Sequence, residues 1–487
     1  ENNNGINYGM PWIKPTSASP VSATTLLPVS PTSNYGMASD YNNGTATYAT
    51  LAHTHRFDGE TELTTRVRRG AYTRDQRAST IRLTAGEDLS NFGANTTLTR
   101  GTQNKIQDLD SVYLQSDLSA KFDALGMRHE LLSGIDVARE QKTVYAARTA
   151  AQGLGGVDLI KPNTTIGTPD DGAWVNEGSR VLRVNNQYTS TAWGMYAQDL
   201  VQIAPHWKLL GGLRYDSLSG NYDSFGVPAA NASNGTLTNY KMNVGEWSKR
   251  VGALFQPNER ESYHVSAATS FNTSGDAYSL GASNADVPPE QSINLELGAK
   301  IDSADKNFTT RYALFRSTKL HERNTDPLVD VAVLSGKRHA TGLEMDFTGR
   351  ITPRWEAYGS FMWIPDARID EAYKSPTGSD NERTGARPSL TPRVSATLWN
   401  TYQINGQWRV GAGLNHRGAQ TPNRNPGWEA PAFTTTDVMA EYRVDERLTF
   451  KGNVSNLTNK LYADQLYSGH YVPGAGRLVQ VTGSYKF

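Results

Sequence analysis

The chain ends on Arg477–Phe487, RLVQVTGSYKF, and its last residue is an aromatic side chain still inside a strand pattern. Val479, Val481, Tyr485 and Phe487 fall on one face, and Gln480, Thr482, Ser484 and Lys486 on the other, the two-residue period of a β-strand. One face suits hydrocarbon and the other water. Stopping there leaves no tail beyond the sheet, and in lipid an open edge of backbone N–H and C=O groups has no water to satisfy it. The feature therefore favours an all-β fold, a transmembrane antiparallel β-barrel in which this run is the closing strand.

Composition agrees. Only 37% of the 487 residues are hydrophobic and the mean hydropathy is −0.56, and no run approaches the roughly 20 apolar residues of a spanning helix. Barrel strands carry their apolar residues in alternation, so low hydropathy is expected of them. Cysteine is absent, which removes disulfides and thiolate metal sites. Lys+Arg and Asp+Glu each total 48, so there is no global basic field for nucleic acid. The opening ENNNGINYGMPWI has neither a basic n-region nor an apolar h-region, so the signal peptide of an exported protein is expected to lie before Glu1 or to have been removed.

Residues 1–44 are rich in Asn, Ser, Thr, Pro and Gly without a sustained period and read as loop; 45–487 reads as barrel. From Thr45 onward, strand-like runs alternate between tight polar turns and long Gly/Asn/Ser-rich loops. Short turns are expected at Asp58-Gly59, Ala124–Gly126, Ala204–His206, Pro257–Glu259, Ser303–Asp305, Thr352–Arg354, Asn405–Gln407 and Asp445-Glu446. Long loops are expected near 75–105, 148–185, 221–240, 273–287, 321–336, 369–386, 418–430 and 461–476. Such asymmetry marks a barrel with short periplasmic turns and long outer loops. Trp207, Trp355 and Trp408 each follow a short turn, the placement of an aromatic girdle at one membrane interface. In Trp207–Tyr215 and Trp355–Trp363 the alternate residues include Lys208, Arg214 and Glu356, whose charges require an aqueous lumen.

Catalytic signals are weak. The nine histidines are scattered, and the His53/His55 pair has no evident third ligand. There is no HExxH, no P-loop and no nucleophile elbow, so no catalytic or metal-ligating residue is assigned. An outer-membrane enzyme, a passive porin-like channel and a soluble sandwich or propeller remain as alternatives; the absence of fixed-length repeats weakens the propeller.

Further signatures run along the chain: YAQDLVQIAPHWKLLGGLRYD (Tyr196–Asp216), PPEQSINLELGAK (Pro288–Lys300), YALFRSTK (Tyr312–Lys319), PAFTTTDVMAEYRV (Pro431–Val444), and NVSNLTNKLYAD with YVPGAGR (within Asn453–Arg477). In this order they resemble the barrel of TonB-dependent siderophore receptors, most closely the monomeric catecholate siderophore receptors, and NYGMPWI (Asn7–Ile13) resembles an outer loop of that family. The resemblance implies a barrel of about 22 strands in the bacterial outer membrane, plugged by an N-terminal domain. It also implies import of ferric siderophore complexes driven by the TonB complex, with iron(III) carried by the ligand and no cofactor of the protein's own. Neither plug nor TonB box is visible in this sequence.

Counting from about Thr45 gives about seventeen strands, an odd number where bacterial single-chain barrels are even. If the last strand runs down, so does the first, which places residues 1–44 outside the cell. Strands before Glu1 are then expected, with a gap or fewer contacts between the strand at 45–57 and that at 477–487. A ferric catecholate is anionic with aromatic faces, so its site should combine Arg or Lys with Tyr or Trp near the outer mouth. Tyr8, Trp12, Lys14, Arg316, Lys319, Trp363 and Arg387 meet that criterion; each has the plainer alternative of a lumen ion pair, an upper girdle or a solvated loop. The motif around Tyr471, Pro473, Gly474 and Arg477 reads as structural.

Overall fold

The computed structural model describes residues 1–273, 288–326, 331–372 and 383–487. Its long strands are β1 Tyr41–Arg56, β2 Thr61–Leu83, β3 Thr97–Ala124, β4 Met127–Ala147, β5 Leu182–Ala204, β6 Trp207–Phe225, β7 Leu237–Asn258, β8 Glu261–Asn272, β9 Glu290–Asp302, β10 Phe308–Asp326, β11 Val331–Thr352, β12 Trp355–Glu371, β13 Val394–Gln403, β14 Trp408–Arg417, β15 Phe433–Arg443, β16 Leu448–Ser455 and β17 Leu478–Tyr485. They belong to one nineteen-stranded sheet; setting aside the short pieces Asn2–Asn4 and Thr164–Thr165 leaves seventeen long strands among the described residues. Each long strand pairs antiparallel with the next in sequence, a continuous meander.

The short turns fall at one end and repeat one piece of chemistry. Asp58 Oδ1 accepts hydrogen bonds from the backbone N–H of Glu60 and Thr61 at 2.8 and 2.6 Å. Asn405 does the same for Gln407 and Trp408 at 2.9 and 2.8 Å, and Asp445 for Arg447 and Leu448 at 2.8 Å each. Asn258 repeats it for Arg260 and Glu261. A short side-chain acceptor thus stands in for the ladder where the chain reverses.

Trp207, Trp355 and Trp408 open β6, β12 and β14 at this end and are 44%, 40% and 42% exposed. Phe255 and Tyr442 lie beside Trp207 and Trp408 at 4.7 Å each, and Trp355 faces Tyr402 across the ladder. A second aromatic group stands higher: Trp193, Tyr215 and Trp247 form a chain at 5.4 and 5.1 Å. Tyr215 follows Trp207, and Trp363 follows Trp355, by eight residues on the same face. Eight residues span about 26 Å along a strand, or about 20 Å of membrane normal at a tilt near 40°. Between the two girdles the outward residues are apolar and exposed, among them Leu209, Leu213, Val251, Val265, Leu297 and Leu314.

The opposite face is ionic. Arg214 bridges Asp136 at 2.7 Å and Asp216 at 2.5 Å, Lys208 meets Glu130 at 2.8 Å, and His264 meets Glu296 at 2.7 Å. Lipid cannot hold such groups, so this face lines the lumen.

At the long-loop end the strands outrun the membrane. The expected loop at 75–105 is mostly strand: β2 continues to Leu83 and β3 begins at Thr97, paired throughout. The loop expected at 221–240 contracts to 226–236 for the same reason. Part of 321–336 is hairpin, with register shifts around Lys319 and Glu322. The expected loops at 273–287, 321–336 and 369–386 lie partly outside the described residues. β1 begins at Tyr41, and Asn2–Asn4 pairs with its first residues.

Val479 and Val481 pair with Val454 and Gly452 of β16. Among the described residues the registers give β17 no partner on β1, and every residue of β17 is exposed.

Candidate ligand-binding mouth

The long-loop end is closed on one side by a small apolar core built from distant parts of the chain. Met10–Pro11, Ala463–Leu466 and His470–Pro473 form a separate three-stranded sheet. Met10, Trp12, Ile13, Leu27 and Tyr35 pack there with Ile81, Leu98, Ala430, Ala463, Leu466 and Tyr471. The Tyr471 hydroxyl accepts the Leu27 N–H at 3.0 Å, and burial pushes its phenol well above the ordinary tyrosine range. Gly474 is required by close approach: a Cβ there would stand 1.9 Å from the Tyr462 ring. Of the YVPGAGR motif, Tyr471 and Gly474 are thus packing elements.

Three expected residues assemble on this core. The Trp12 ring packs on Tyr471 at 4.8 Å, and its N–H points at the Tyr467 carbonyl at 3.4 Å. Tyr8 stacks with His470 at 5.7 Å. Lys14 Nζ lies 4.9 Å over the Trp428 ring. Trp12 is buried in the core, whereas Tyr8 and Lys14 are half-buried at the surface.

The other four do not join them. Arg316 shares the outward face with Leu314, hydrogen-bonds Thr341 at 3.2 Å, and stands eight residues above Phe308. That is headgroup height, not a lumen position. Trp363, 46% exposed and outward, belongs to the upper girdle. Lys319 faces the opposite way from Arg316 but is neutralised by Glu290 at 3.0 Å and Glu322 at 3.4 Å. Arg387 donates to the carbonyls of Ile364, Thr391 and Pro392 at 2.7, 2.8 and 3.1 Å; these contacts tie the segment after β12 in place, and burial lowers its pKa.

Sequence reasoning missed Arg82 and His470. Arg82 Nη2 approaches His470 Nδ1 at 3.4 Å, and Tyr467 stacks on the His470 ring at 4.6 Å with only 10° between planes. Burial, with the Arg82 charge beside it, lowers the His470 pKa to about 4. Also missed was a buried ionic knot holding the neighbouring loop: Lys161 contacts Asp40 at 3.0 Å, Ser79 at 2.9 Å and Glu177 at 3.6 Å.

Below the mouth, a groove of about 550 Å³ is lined by Glu344, Asp346, Asn415, Arg417, Tyr462 and Asp464, among others. Among the described residues no group of three His, Asp or Glu side chains is arranged to hold a metal ion.

The family model described as "TonB dependent receptor-like, beta-barrel" matches residues 1–457. The catecholate siderophore receptor Fiu of Escherichia coli O157:H7 is 26% identical over 93% of this chain and 61% of its own length. The probable TonB-dependent siderophore receptor PiuA of Acinetobacter baumannii is 25% identical over 78% of this chain and 53% of its own. The chain therefore spans little more than half the length of these relatives. The crystal structure of the A. baumannii PiuA superposes with a TM-score of 0.86 at 22% identity, covering 99% of this chain and 70% of that one. The closed form of Fiu from E. coli K12 gives 0.81 at 23%, covering 100% and 71%. With the girdles, the ionic lumen and the meander already in place, the match settles the family: this chain belongs to the TonB-dependent receptor β-barrels of the outer membrane.

Proposed function

We propose that this chain supplies most of the barrel of a receptor that binds a ferric siderophore complex of catecholate type at the long-loop mouth and imports it with energy from the TonB complex. The long loops then face outside the cell, the short turns face the periplasm, and residues 1–44 form an outer loop. Iron(III) travels as cargo on the ligand, with no resident cofactor, and the receptor acts as a monomer.

The observation that carries this reading is the aromatic and cationic floor of the mouth, where Tyr8, Tyr467, Trp428, Lys14 and Arg82 gather over one apolar core. Aromatic rings suit the flat faces of catechols, and cations suit their negative charge. The names of Fiu and PiuA point the same way.

The test is titration of the receptor with iron(III) tris-catecholate made from 2,3-dihydroxybenzoate, followed by quenching of tryptophan emission, with a neutral ferric hydroxamate as control. Saturable quenching by the catecholate alone is expected. A steady ion conductance in planar bilayers without saturable binding would support a passive channel instead.

A further inference from the structure

We infer that Arg82 and His470, whose ring stacks with Tyr8 and with Tyr467, form an anion subsite that takes a deprotonated catechol oxygen of the ligand. The inference rests on the catecholate reading above and assigns it to particular atoms.

A guanidinium can only donate hydrogen bonds. The 3.4 Å approach of Arg82 Nη2 to His470 Nδ1 therefore makes Nδ1 the acceptor, which places the imidazole proton on Nε2. His470 is 8% exposed, and Nε2 has no hydrogen-bond partner. A buried N–H donor without an acceptor is costly unless something else fills the role.

Arg82 is under-used in the same sense. It donates to the Ile81 carbonyl at 2.8 Å and to His470, and among the described residues no carboxylate lies within ion-pair distance of it. Elsewhere at this end Lys161 is matched by Asp40 and Glu177 and Arg100 by Asp171 at 2.9 Å, whereas the buried Arg148 and Arg183 donate to backbone carbonyls. A half-buried cation with one carbonyl and one imidazole nitrogen beside it and no carboxylate can receive an external anion.

The rings fix the shape of that anion. Tyr8, His470 and Tyr467 form a stack with interplanar angles of 28° and 10°, and Tyr467 is 36% exposed. A flat aromatic anion extends the stack while its oxygen meets the cation; an inorganic anion uses only the cation.

The experiment compares the full receptor with Arg82→Gln, Arg82→Lys and Tyr467→Leu, each first shown to be folded by heat-modifiable mobility on a gel. The probe is iron(III) tris-catecholate from 2,3-dihydroxybenzoate. Losing one charge-assisted contact should weaken binding on the order of 10- to 100-fold in Arg82→Gln, with Arg82→Lys recovering part of it. Tyr467→Leu should weaken the catecholate, and inorganic phosphate should compete less in Arg82→Gln than in the unaltered receptor. Catecholate binding unchanged within twofold in Arg82→Gln overturns the subsite while leaving the functional reading intact. No catecholate binding by the unaltered receptor overturns that reading and the ligand class assigned here with it.

Discussion

Lys161 Nζ sits 3.0 Å from Asp40 Oδ1 with both side chains essentially out of water. The two also share Ser79, whose backbone N–H and hydroxyl both donate to Asp40 at 2.9 and 3.0 Å. One ion pair thereby fastens the segment after β4 to the end of the N-terminal loop and to β2.

Removing Lys161 leaves the Asp40 charge buried, a loss on the order of 3–5 kcal/mol, whereas removing the Asp40 charge leaves Lys161 with Glu177 at 3.6 Å and costs less. Asp40→Asn and Lys161→Met should therefore each expose the 148–181 segment to limited proteolysis. The double variant Asp40→Leu/Lys161→Met should be cut more slowly than either single one. Equal cleavage of all forms would show that the segment is held by other contacts.

On the outward face, Leu297 lies between the girdles, four residues from Ile301 at the short-turn end, and is 56% exposed. Leu297→Arg should destabilise the barrel by about 2–4 kcal/mol, as charges do near the midplane. Urea titration of the folded fraction in detergent or lipid measures this. Its chain neighbour Glu296, on the ionic face, should accept Gln at far smaller cost.

The state of His470 predicts a pH response. Its folded pKa, about 4, lies below the usual 6.5, because burial and then Arg82 oppose a second positive charge. The unfolded chain binds the extra proton first as pH falls. The stabilisation from the neutral ring is thus full above about pH 6.5 and is lost progressively down to about 4. Trp12, packed on Tyr471 beside this ring, should report loosening of the mouth over that window by a shift in its emission. His470→Gln should flatten the response, and an identical profile in that variant would assign the change to another group.

Arg316 and Arg387 separate binding from folding. Arg316 faces outward at headgroup height, so Arg316→Ala should leave ligand affinity within about twofold while a charge-assisted contact would contribute more. Arg387→Ala strips three carbonyl contacts and should lower the melting temperature instead. A large affinity loss in Arg316→Ala, with the melt unchanged, would overturn its placement.

The turns were legible because each carries its own chemistry: Asp58, Asn405 and Asp445 are short acceptors at the reversal, and the strand that follows each begins within three residues. The lower girdle was legible for the same local reason. The extensions of β2 and β3 were not, since above the membrane both faces meet polar surroundings and the two-residue period that marks a lipid-facing strand disappears from RDQRASTIRL. The side on which Arg316 stands was readable in principle, because Leu314, two residues away, shares its face. The meeting of Arg82 with His470 was not, as 388 positions separate them and only the folded loops bring them together.

Because Met10 pairs with Tyr471 and Trp12 leans on the same ring, the mouth cannot assemble until the segment before β1 and the segment before β17 have been delivered to one place. Each long strand can pair with its neighbour in sequence, a local step; this closure joins residues 455 positions apart, as Trp12 and Tyr467 are, and carries a larger loop-closure entropy. The mouth is accordingly the last part to form during assembly and, by the same reasoning, the first to come apart, so a chain caught early by a quality-control protease would have its strands paired and its mouth still unassembled.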